Sequence, residues 1–299
     1  MRGAFKVAGF VLLCLIWGST WLVIKVGYGG LGPLNVAGVR FAIAAAILTV
    51  IMPIVGARWP RGRSEWTLVL FVGVLLFLGD YGLIYWAEQY IDSGLTAILF
   101  GTFPLLTMTF AHVYVPGERL TRRKLAGGVA ASLGVAALFG DRVRVDASNM
   151  GPMAAVIGAT VCAAAANVAM KRHGSTLHSA ALNASAMLIG ALLLLTGAWI
   201  SGEGIRLPPD AASWAAVAYL AIVGSVVAFL VYFSLLKAWT ATAVSFFGVF
   251  TPAIALLLGA AVLHERLTMW SVAGAVLILG GVSAALTTSR APAPRVVRT

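Results

Sequence analysis

The sequence predicts an all-α integral membrane protein in which ten transmembrane helices form two inverted five-helix repeats. The composition, the spacing of the apolar segments and an internal repetition predict this fold. The chain has 299 residues, of which 61% are hydrophobic and only 10% are charged, and its mean hydropathy is +0.96. Such a composition exceeds the apolar share of soluble domains of this length and is typical of membrane-embedded chains.

Apolar windows of membrane-spanning length follow one another along most of the chain. A hydrocarbon core about 30 Å thick is crossed by about 20 mostly apolar helical residues. Ten such windows are predicted at residues 7–28, 34–55, 66–87, 94–114, 124–140, 151–171, 179–200, 212–236, 242–263 and 269–287. The windows lack the alternation of membrane β-strands, and the short loops leave no room for a soluble catalytic domain. The first window has no clean signal-peptidase site, so we expect it to be retained as a helix.

A four-residue motif occurs twice along the chain. Glu118-Arg119-Leu120-Thr121 recurs as Glu265-Arg266-Leu267-Thr268, an interval of 147 residues. The same shift superimposes other residues, namely Tyr85 on Tyr232, Phe100-Gly101 on Phe247-Gly248, Phe103 on Phe250, Ala126-Gly127 on Ala273-Gly274 and Gly134-Val135 on Gly281-Val282. This self-similarity predicts one unit at residues 1–145 and a second at residues 146–299. Since five helices per unit is an odd number, the two units are expected to run in opposite directions through the membrane.

The basic residues are distributed unevenly between the predicted loops. A cytoplasmic N-terminus would place most Lys and Arg residues on the inner side, including Arg58, Arg61, Arg63, Arg122 and Arg123. Because cytoplasmic loops carry an excess of Lys and Arg, both termini are predicted to be cytoplasmic. This asymmetry also accounts for the net charge of +11. The basic residues form no recognisable nucleic-acid-binding module, so the lipid bilayer is the expected surrounding and nucleic acid is not an expected partner.

The order and spacing of these features resemble the EamA-type exporters of the drug/metabolite transporter superfamily. The resemblance rests on the two five-helix units, on Trp17-Gly18-Ser19-Thr20-Trp21 in the first helix and on Glu-Arg-Leu before the last helix of each unit. It covers essentially the whole chain. It implies a secondary transporter of the bacterial inner membrane that exports small metabolites, most of all aromatic or other apolar amino acids, by alternating access. A multidrug or cationic-compound exporter is the alternative, and a membrane-embedded enzyme is a third reading.

Two charged residues fall at membrane depth in the second and third windows. At about 1.5 Å per residue, Arg40 and Asp80 both lie roughly 10–12 Å beneath the outer surface. Intramembrane charges usually face a cavity or a partner. Two interpretations stay open: Arg40 receives a substrate carboxylate or Asp80 titrates in proton coupling, or the two residues form a fixed ion pair between helices. Asn167 in the sixth window is expected to make an interhelical hydrogen bond or a substrate contact.

Aromatic residues cluster near the same depth, and several of them recur in both units. They predict a cavity lined by flat rings for a partly apolar substrate, although rings at such positions can also fill the core or face lipid. The predicted substrate-binding residues are Trp17, Trp21, Arg40, Asp80, Tyr81, Tyr85, Phe100, Phe103, Asn167, Tyr232, Phe247 and Phe250.

Prolines inside the fourth and ninth windows predict interruptions at matching places in the two units. Pro104 and Pro252 each remove a backbone hydrogen bond, and paired breaks at membrane depth indicate a binding site or a hinge. The Glu-Arg-Leu-Thr motif has two interpretations. It either packs and caps a helix through Thr121 or Thr268, or acts as a gate or ion-pair switch.

The sequence contains no pattern that predicts metal or cofactor chemistry. Cys14 and Cys162 are far apart, and neither belongs to a Cys-x-x-Cys pair or a His/Asp/Glu cluster. A phosphate-binding Gly-Lys-Ser/Thr loop is also missing, which argues against ATP-driven pumping by this chain. We therefore predict no catalytic residues, no metal and no cofactor, with a small molecule as the substrate. The oligomeric state is left open.

Overall fold

The computed structural model describes residues 2–27, 29–139, 149–263 and 268–286, and all regular secondary structure in these ranges is helical. In chain order the segments are α1 (Arg2–Gly27), α2 (Pro33–Ile54), α3 (Gly62–Ala87), α4 (Ser93–Tyr114), α5 (Arg122–Leu138), α6 (Met150–His173), α7 (Ser179–Ile200), α8 (Ala211–Ala238), α9 (Ala241–Ser245 and Phe247–Leu263) and α10 (Met269–Leu286). Eight segments of the described chain are long and apolar enough to cross a membrane, and the apolar part of α1 (Ala4–Thr20) is shorter.

The outer surface of the bundle carries large apolar side chains. Leu192 on α7 is 59% exposed, and Val276 on α10 is 64% exposed. Contiguous apolar surface of this kind is unusual on a soluble monomer but suits contact with lipid tails. The protein is therefore a multi-pass membrane protein, as its composition predicts.

Side-chain caps define where several helices begin. The Thr121 hydroxyl accepts a hydrogen bond from the Lys124 amide at the start of α5, with an N···O distance of 3.2 Å. At the start of α10, the Thr268 hydroxyl accepts from the Ser271 amide at 3.3 Å. Both bonds satisfy amides that have no partner within their own helix. The capping role predicted for the threonine of each motif agrees with this geometry.

The most extensive contact between helices joins α5 and α10, the last helices of the two units. A Cβ atom placed on Gly127 would lie 2.5 Å from the carbonyl oxygen of Gly281, and one placed on Gly134 would lie 2.8 Å from that of Gly274. Gly274 and Gly281 are the repeat equivalents of Gly127 and Gly134. Each glycine thus meets the equivalent of the other, which requires that α5 and α10 run antiparallel. Small residues allow such close approach between membrane helices.

Other helix contacts also join one unit to the other. The first helix of each unit packs against the third and fourth helices of the other unit: α1 contacts α8 and α9, and α6 contacts α3 and α4. The second helices α2 and α7 also pack along each other. The six helices α1, α3, α4, α6, α8 and α9 therefore surround the centre of the bundle, with three helices from each unit.

Helices α3 and α8 each contain a π-helical stretch that the sequence analysis did not predict. The stretch covers Gly73–Asp80 in α3 and Ile222–Val227 in α8. Shifted by 147 residues, the second stretch falls on residues 75–80, so the two irregularities occupy equivalent places. A π-helical turn inserts an extra residue and changes which side chains face a neighbouring helix, and it often marks a functional site.

Candidate functional site

A cavity of about 670 Å³, including the space at its mouth, lies between the two units. The six central helices line it with Trp17, Thr20, Ile24, Leu76, Asp80, Tyr81, Ile84, Tyr85, Phe100, Phe103, Ala163, Phe229, Tyr232, Phe247 and Thr251. More than half of these side chains are aromatic. The cavity is therefore mostly apolar, with a few polar groups from both units.

Trp17 is the centre of the aromatic wall. Its ring centroid lies 4.5 Å from that of Phe247 and 5.3 Å from those of Tyr232 and Phe229. Phe103 extends the wall, since its ring lies 5.2 Å from Phe247. These tilted and edge-to-face arrangements are the favourable ones for aromatic pairs. They join α1, α4, α8 and α9 into one ring-lined surface.

Most of the predicted site residues lie together on this cavity. Trp17, Asp80, Tyr81, Tyr85, Phe100, Phe103, Tyr232 and Phe247 all line it. Of the remaining predictions, the side chain of Trp21 lies outside the described part of the structure. Arg40, Asn167 and Phe250 lie behind the wall.

Arg40 is fully buried and is held by α3 and α8. Its guanidinium donates hydrogen bonds to Ser225 Oγ at 2.9 Å, to Tyr85 Oη at 3.0 Å and to the Gly224 carbonyl oxygen at 3.1 Å. The Gly224 oxygen, in the π-helical stretch of α8, also accepts from Trp17 Nε1 at 3.2 Å. Arg40 thus supports the wall from behind, and it does not face the cavity as the substrate-carboxylate interpretation requires.

The ion pair between Arg40 and Asp80, the second interpretation, is not formed in the described structure, where the observed ion pair joins Arg58 and Glu65. Asp80 ends the π-helical stretch of α3 and faces the cavity instead. Its side chain is 5% exposed, and Oδ1 has no hydrogen-bond partner among the described residues. Helical depth placed Arg40 and Asp80 at similar heights but could not show which way each side chain points.

Asn167 and Phe250 also lie just outside the cavity. Asn167 accepts a hydrogen bond from Tyr232 Oη at 2.8 Å, so the structure contains the interhelical bond that was one of its two interpretations. Phe250 packs against Phe10, with ring centroids 5.9 Å apart. Its repeat equivalent Phe103 lines the cavity, so the symmetry between the units is broken at this pair.

Several lining residues are not among the predicted substrate-binding residues. They are Thr20, Ile24, Leu76, Ile84, Ala163, Phe229 and Thr251. Phe229 precedes Tyr232 by one helical turn, so helical spacing could have indicated it. It has no aromatic equivalent in the first unit, where Gly82 takes its place, and selection by repetition favoured other rings. Ala163 and Leu76 carry no chemical signal in the sequence.

Polar side chains from the rest of the bundle hold the α8–α9 turn, which we define as residues 236–242. Lys171 Nζ donates to the carbonyl oxygens of Leu236 at 2.9 Å and Trp239 at 2.7 Å. The Glu118 carboxylate accepts from the Ala241 amide at 2.6 Å and from the Thr242 amide and hydroxyl at 3.2 and 3.1 Å. A cation thus meets the C-terminus of α8 and an anion meets the N-terminus of α9, as the helix dipoles favour.

The α8–α9 turn is connected to the cavity by hydrogen bonds. Tyr232 in the cavity wall donates to Asn167, and Asn167 Nδ2 is 3.5 Å from the Ala241 carbonyl oxygen. The Ala241 amide in turn donates to Glu118. Val244 and Ser245 just beyond the turn are fully buried. The chain at this turn is therefore packed into the bundle, and a continuous set of polar contacts runs from the turn to the cavity.

The predicted hinge prolines lie beside two helix breaks. α4 is interrupted at Gly101 and Thr102, and Pro104 occupies the first turn of the helix that resumes there. α9 is interrupted at Phe246, and Pro252 lies inside the segment that follows. Ser132 Oγ on α5 donates to the freed carbonyl of Gly101 at 2.8 Å. The breaks flank cavity-lining residues of both units, while movement about them stays a prediction.

The two units correspond to two matches with a known protein family. The family described as the EamA-like transporter family matches residues 4–140 and again residues 150–287. The chain belongs to the EamA-like transporter family. All the residues that line the cavity fall within the matched ranges, so the cavity lies between two EamA-like repeats.

Relatives of this EamA-like protein are transporters by name. It is 28% identical to the uncharacterized transporter YoaV of Bacillus subtilis, over 92% of this chain and 94% of the relative. It is 29% identical to the uncharacterized inner membrane transporter YedA of Escherichia coli, over 89% and 86% of the two chains. A relative from Salmonella typhimurium, 28% identical over 91% of each chain, is named "Probable amino-acid metabolite efflux pump". The protein thus belongs to a family of membrane transporters.

A solved structure shares the fold of this EamA-like protein. The two superpose with a TM-score of 0.82 at 19% sequence identity, over 96% of this chain and 98% of the other. At this identity the similarity extends to the arrangement of the helices alone.

The second Glu-Arg-Leu motif, residues 265–267, lies outside the described residues.

Proposed function

We propose that the protein is a secondary transporter of the bacterial inner membrane that exports small metabolites by alternating access through the central cavity. Amino acids with aromatic or other apolar side chains are the first candidate substrates. The observation that carries this proposal is the ring-lined cavity, built from three helices of each repeat, with the buried α8–α9 turn linked to it by hydrogen bonds. A site shared by two repeats can be exposed to either side when the repeats move against each other. The name of the Salmonella relative supports the choice of amino acids.

The proposal includes ten membrane spans, a boundary between the repeats at residues 145 and 146, and both termini in the cytoplasm. Helix α5 has 17 residues and is therefore about 25 Å long, near the lower limit for a span. The excess of Lys and Arg in one set of loops supports the orientation. In a variant that lacks Cys14 and Cys162, labelling of single cysteines placed at the two ends of the chain should mark both ends from the cytoplasmic side. Labelling from opposite sides contradicts the ten-span arrangement.

Phe103 and Phe250 provide a matched test of the cavity, because they are equivalent in sequence but differ in position. Phe103→Ala removes a ring from the wall, and we expect transport to fall at least about tenfold, with kcat/KM lowered by lost contacts to the solute. Phe250→Ala removes a ring that packs against Phe10 behind the wall. We expect its export rate to stay within about threefold of wild type. Export rates normalised to membrane levels would measure both effects, and equal rates for the two variants would count against the cavity.

Proton coupling through Asp80 and export of cationic compounds stay part of this proposal as its alternatives. Both are supported by the buried carboxyl group that faces the cavity. Proteoliposomes loaded with labelled amino acids or cationic drugs, with and without an imposed proton gradient, would separate these possibilities. An Asp80→Asn variant that still concentrates its substrate in response to the gradient would exclude coupling through this residue.

A further inference from the structure

Asp80 differs from every other residue of the cavity wall, because it alone among the lining residues has a side chain of a type that is charged in water at neutral pH. It is 5% exposed, and its Oδ1 has no partner among the described residues. A buried carboxylate is costly unless a cation or several donors compensate it. The lining includes no Lys, Arg or His, so the described cavity wall itself supplies no such cation.

Among the described residues, Arg40 is a buried cation close to the cavity wall, but its guanidinium already has hydrogen-bond partners. Arg40 donates to Ser225, Tyr85 and Gly224, and its guanidinium lies over the Tyr81 ring with its carbon 5.1 Å from the ring centroid. Among the described residues Arg40 forms no ion pair with Asp80, and Oδ1 of that carboxyl has no hydrogen-bond partner. A cation inside the cavity would fill the place opposite this carboxyl.

The aromatic rings around Asp80 also favour a cationic ligand. The faces of aromatic rings carry negative electrostatic potential, and protonated or quaternary amines bind in pockets that such rings form. Tyr81, Tyr85 and Trp17 all line the cavity together with Asp80. A carboxylate and several rings therefore act on a cationic group in the same direction, while an anionic group would meet the acidic side chain with no basic residue in the lining to offset it.

We propose that Asp80 and the surrounding rings bind the ammonium group of the transported solute, so that the cavity selects organic amines with an apolar or aromatic body. The proposal rests on the transport function proposed above, and within that function it favours the cationic alternative, organic amines, over the amino acids named there as first candidates. Amines bind more tightly than amino acids of the same body, because the carboxylate of an amino acid finds no basic side chain in the described lining. Neutral and anionic analogues bind weakest.

Calorimetry on the purified full-length protein tests this with four ligands that share a phenyl body: 2-phenylethylamine, L-phenylalanine, 2-phenylethanol and 3-phenylpropionate. The expected order of affinity is the amine first, then the amino acid, with the alcohol and the carboxylate weakest. Asp80→Asn should weaken binding of the amine at least about tenfold and leave the alcohol unchanged, because a buried charge interaction is lost. Asp80→Glu keeps the charge and should retain the preference for the amine.

Asp92→Asn is the matched control, since Asp92 is exposed and makes no capping hydrogen bond at the start of α4. It should bind all four ligands as the wild type does. Equal affinity of the wild type for amine and alcohol, failure of the wild type to bind the amine, or unchanged amine binding in Asp80→Asn each overturns the proposal.

Ala163→Phe separates failure of this proposal from failure of the transport proposal. Ala163 lines the cavity and is buried, so a phenyl ring at this position fills cavity space. Loss of all binding in Ala163→Phe, together with unchanged amine binding in Asp80→Asn, overturns the role of Asp80 and leaves the cavity as the site. Unchanged binding in Ala163→Phe overturns the cavity itself.

Discussion

Replacing Gly281 by alanine is expected to destabilise the protein strongly, whereas the same change at the adjacent Gly280 should not. A Cβ atom on Gly281 would lie 2.5 Å from the Gly127 carbonyl oxygen and 2.6 Å from the Ala131 amide nitrogen. These neighbours are backbone atoms, so α5 and α10 must move apart to relieve the clash. Overpacking of a tight interface typically costs about 1–3 kcal/mol. A Cβ atom on Gly280 meets no atom within 4 Å.

The pair of variants isolates packing from helix propensity, because alanine is favoured over glycine by about 1 kcal/mol inside a helix at either position. Gly280→Ala should therefore keep or slightly raise the melting temperature of the purified protein. Gly281→Ala should lower it and reduce the monodisperse fraction in size-exclusion chromatography. Similar melting temperatures for the two variants would contradict the close α5–α10 contact. Gly127→Ala, on the opposite side of the contact, should resemble Gly281→Ala.

The α5–α10 contact also shows why the fold could be predicted from the sequence. Gly127 and Gly134 recur as Gly274 and Gly281, and the repetition revealed two units before any helix was placed. Apolar runs of spanning length then located the helices, because the membrane requires every backbone polar group to be satisfied within its own helix. These two signals depend on composition and periodicity alone, which a single sequence fully displays.

Only part of the cavity lining could be predicted from the sequence, because the sequence does not show which way each side chain points. Tyr85, Tyr232, Phe100 and Phe247 were found because aromatic identity is repeated at equivalent positions. Helical depth predicts where Arg40 lies along the membrane normal, but depth does not fix rotation about the helix axis. The π-helical stretches rotate the side chains that follow them in α3 and α8. No periodicity in the sequence predicts these stretches.

The environment of the first Glu-Arg-Leu-Thr motif shows how a motif can be recognised while its contact remains hidden. Helix capping by Thr121 is local and follows from the residues next to it. Glu118 instead reaches the start of α9, more than a hundred residues away, and its carboxylate binds two amides and a hydroxyl there. Only the packing of one repeat on the other brings these groups together. The capping and gating interpretations thus concern two different side chains of one motif.

Glu118→Gln is expected to loosen the α8–α9 turn and thereby to open this end of the bundle. Glu118 is 6% exposed, and its hydrogen bonds are strengthened by charge. Hydrogen bonds to a charged group contribute about 1.5–3 kcal/mol each, so even one bond lost with the charge shifts a two-state equilibrium roughly tenfold or more. The loosened turn should also release the contact through Asn167 to Tyr232, and therefore couple opening of this end to the cavity wall.

Thiol labelling measures this opening directly. In a variant with Cys14 and Cys162 replaced by serine, a cysteine at Ser245 is buried beneath the α8–α9 turn. We expect a water-soluble maleimide to label it at least about tenfold faster when Glu118 is glutamine, because the labelling rate follows the population of the open form. Glu65→Gln is the control, since the Arg58–Glu65 pair lies at the surface, where ion pairs contribute little. Glu118 joins one repeat to the other. Equal labelling rates in the Glu118 and Glu65 variants would show that this contact does not control access to the buried cysteine. Access at this end would then depend on apolar packing alone.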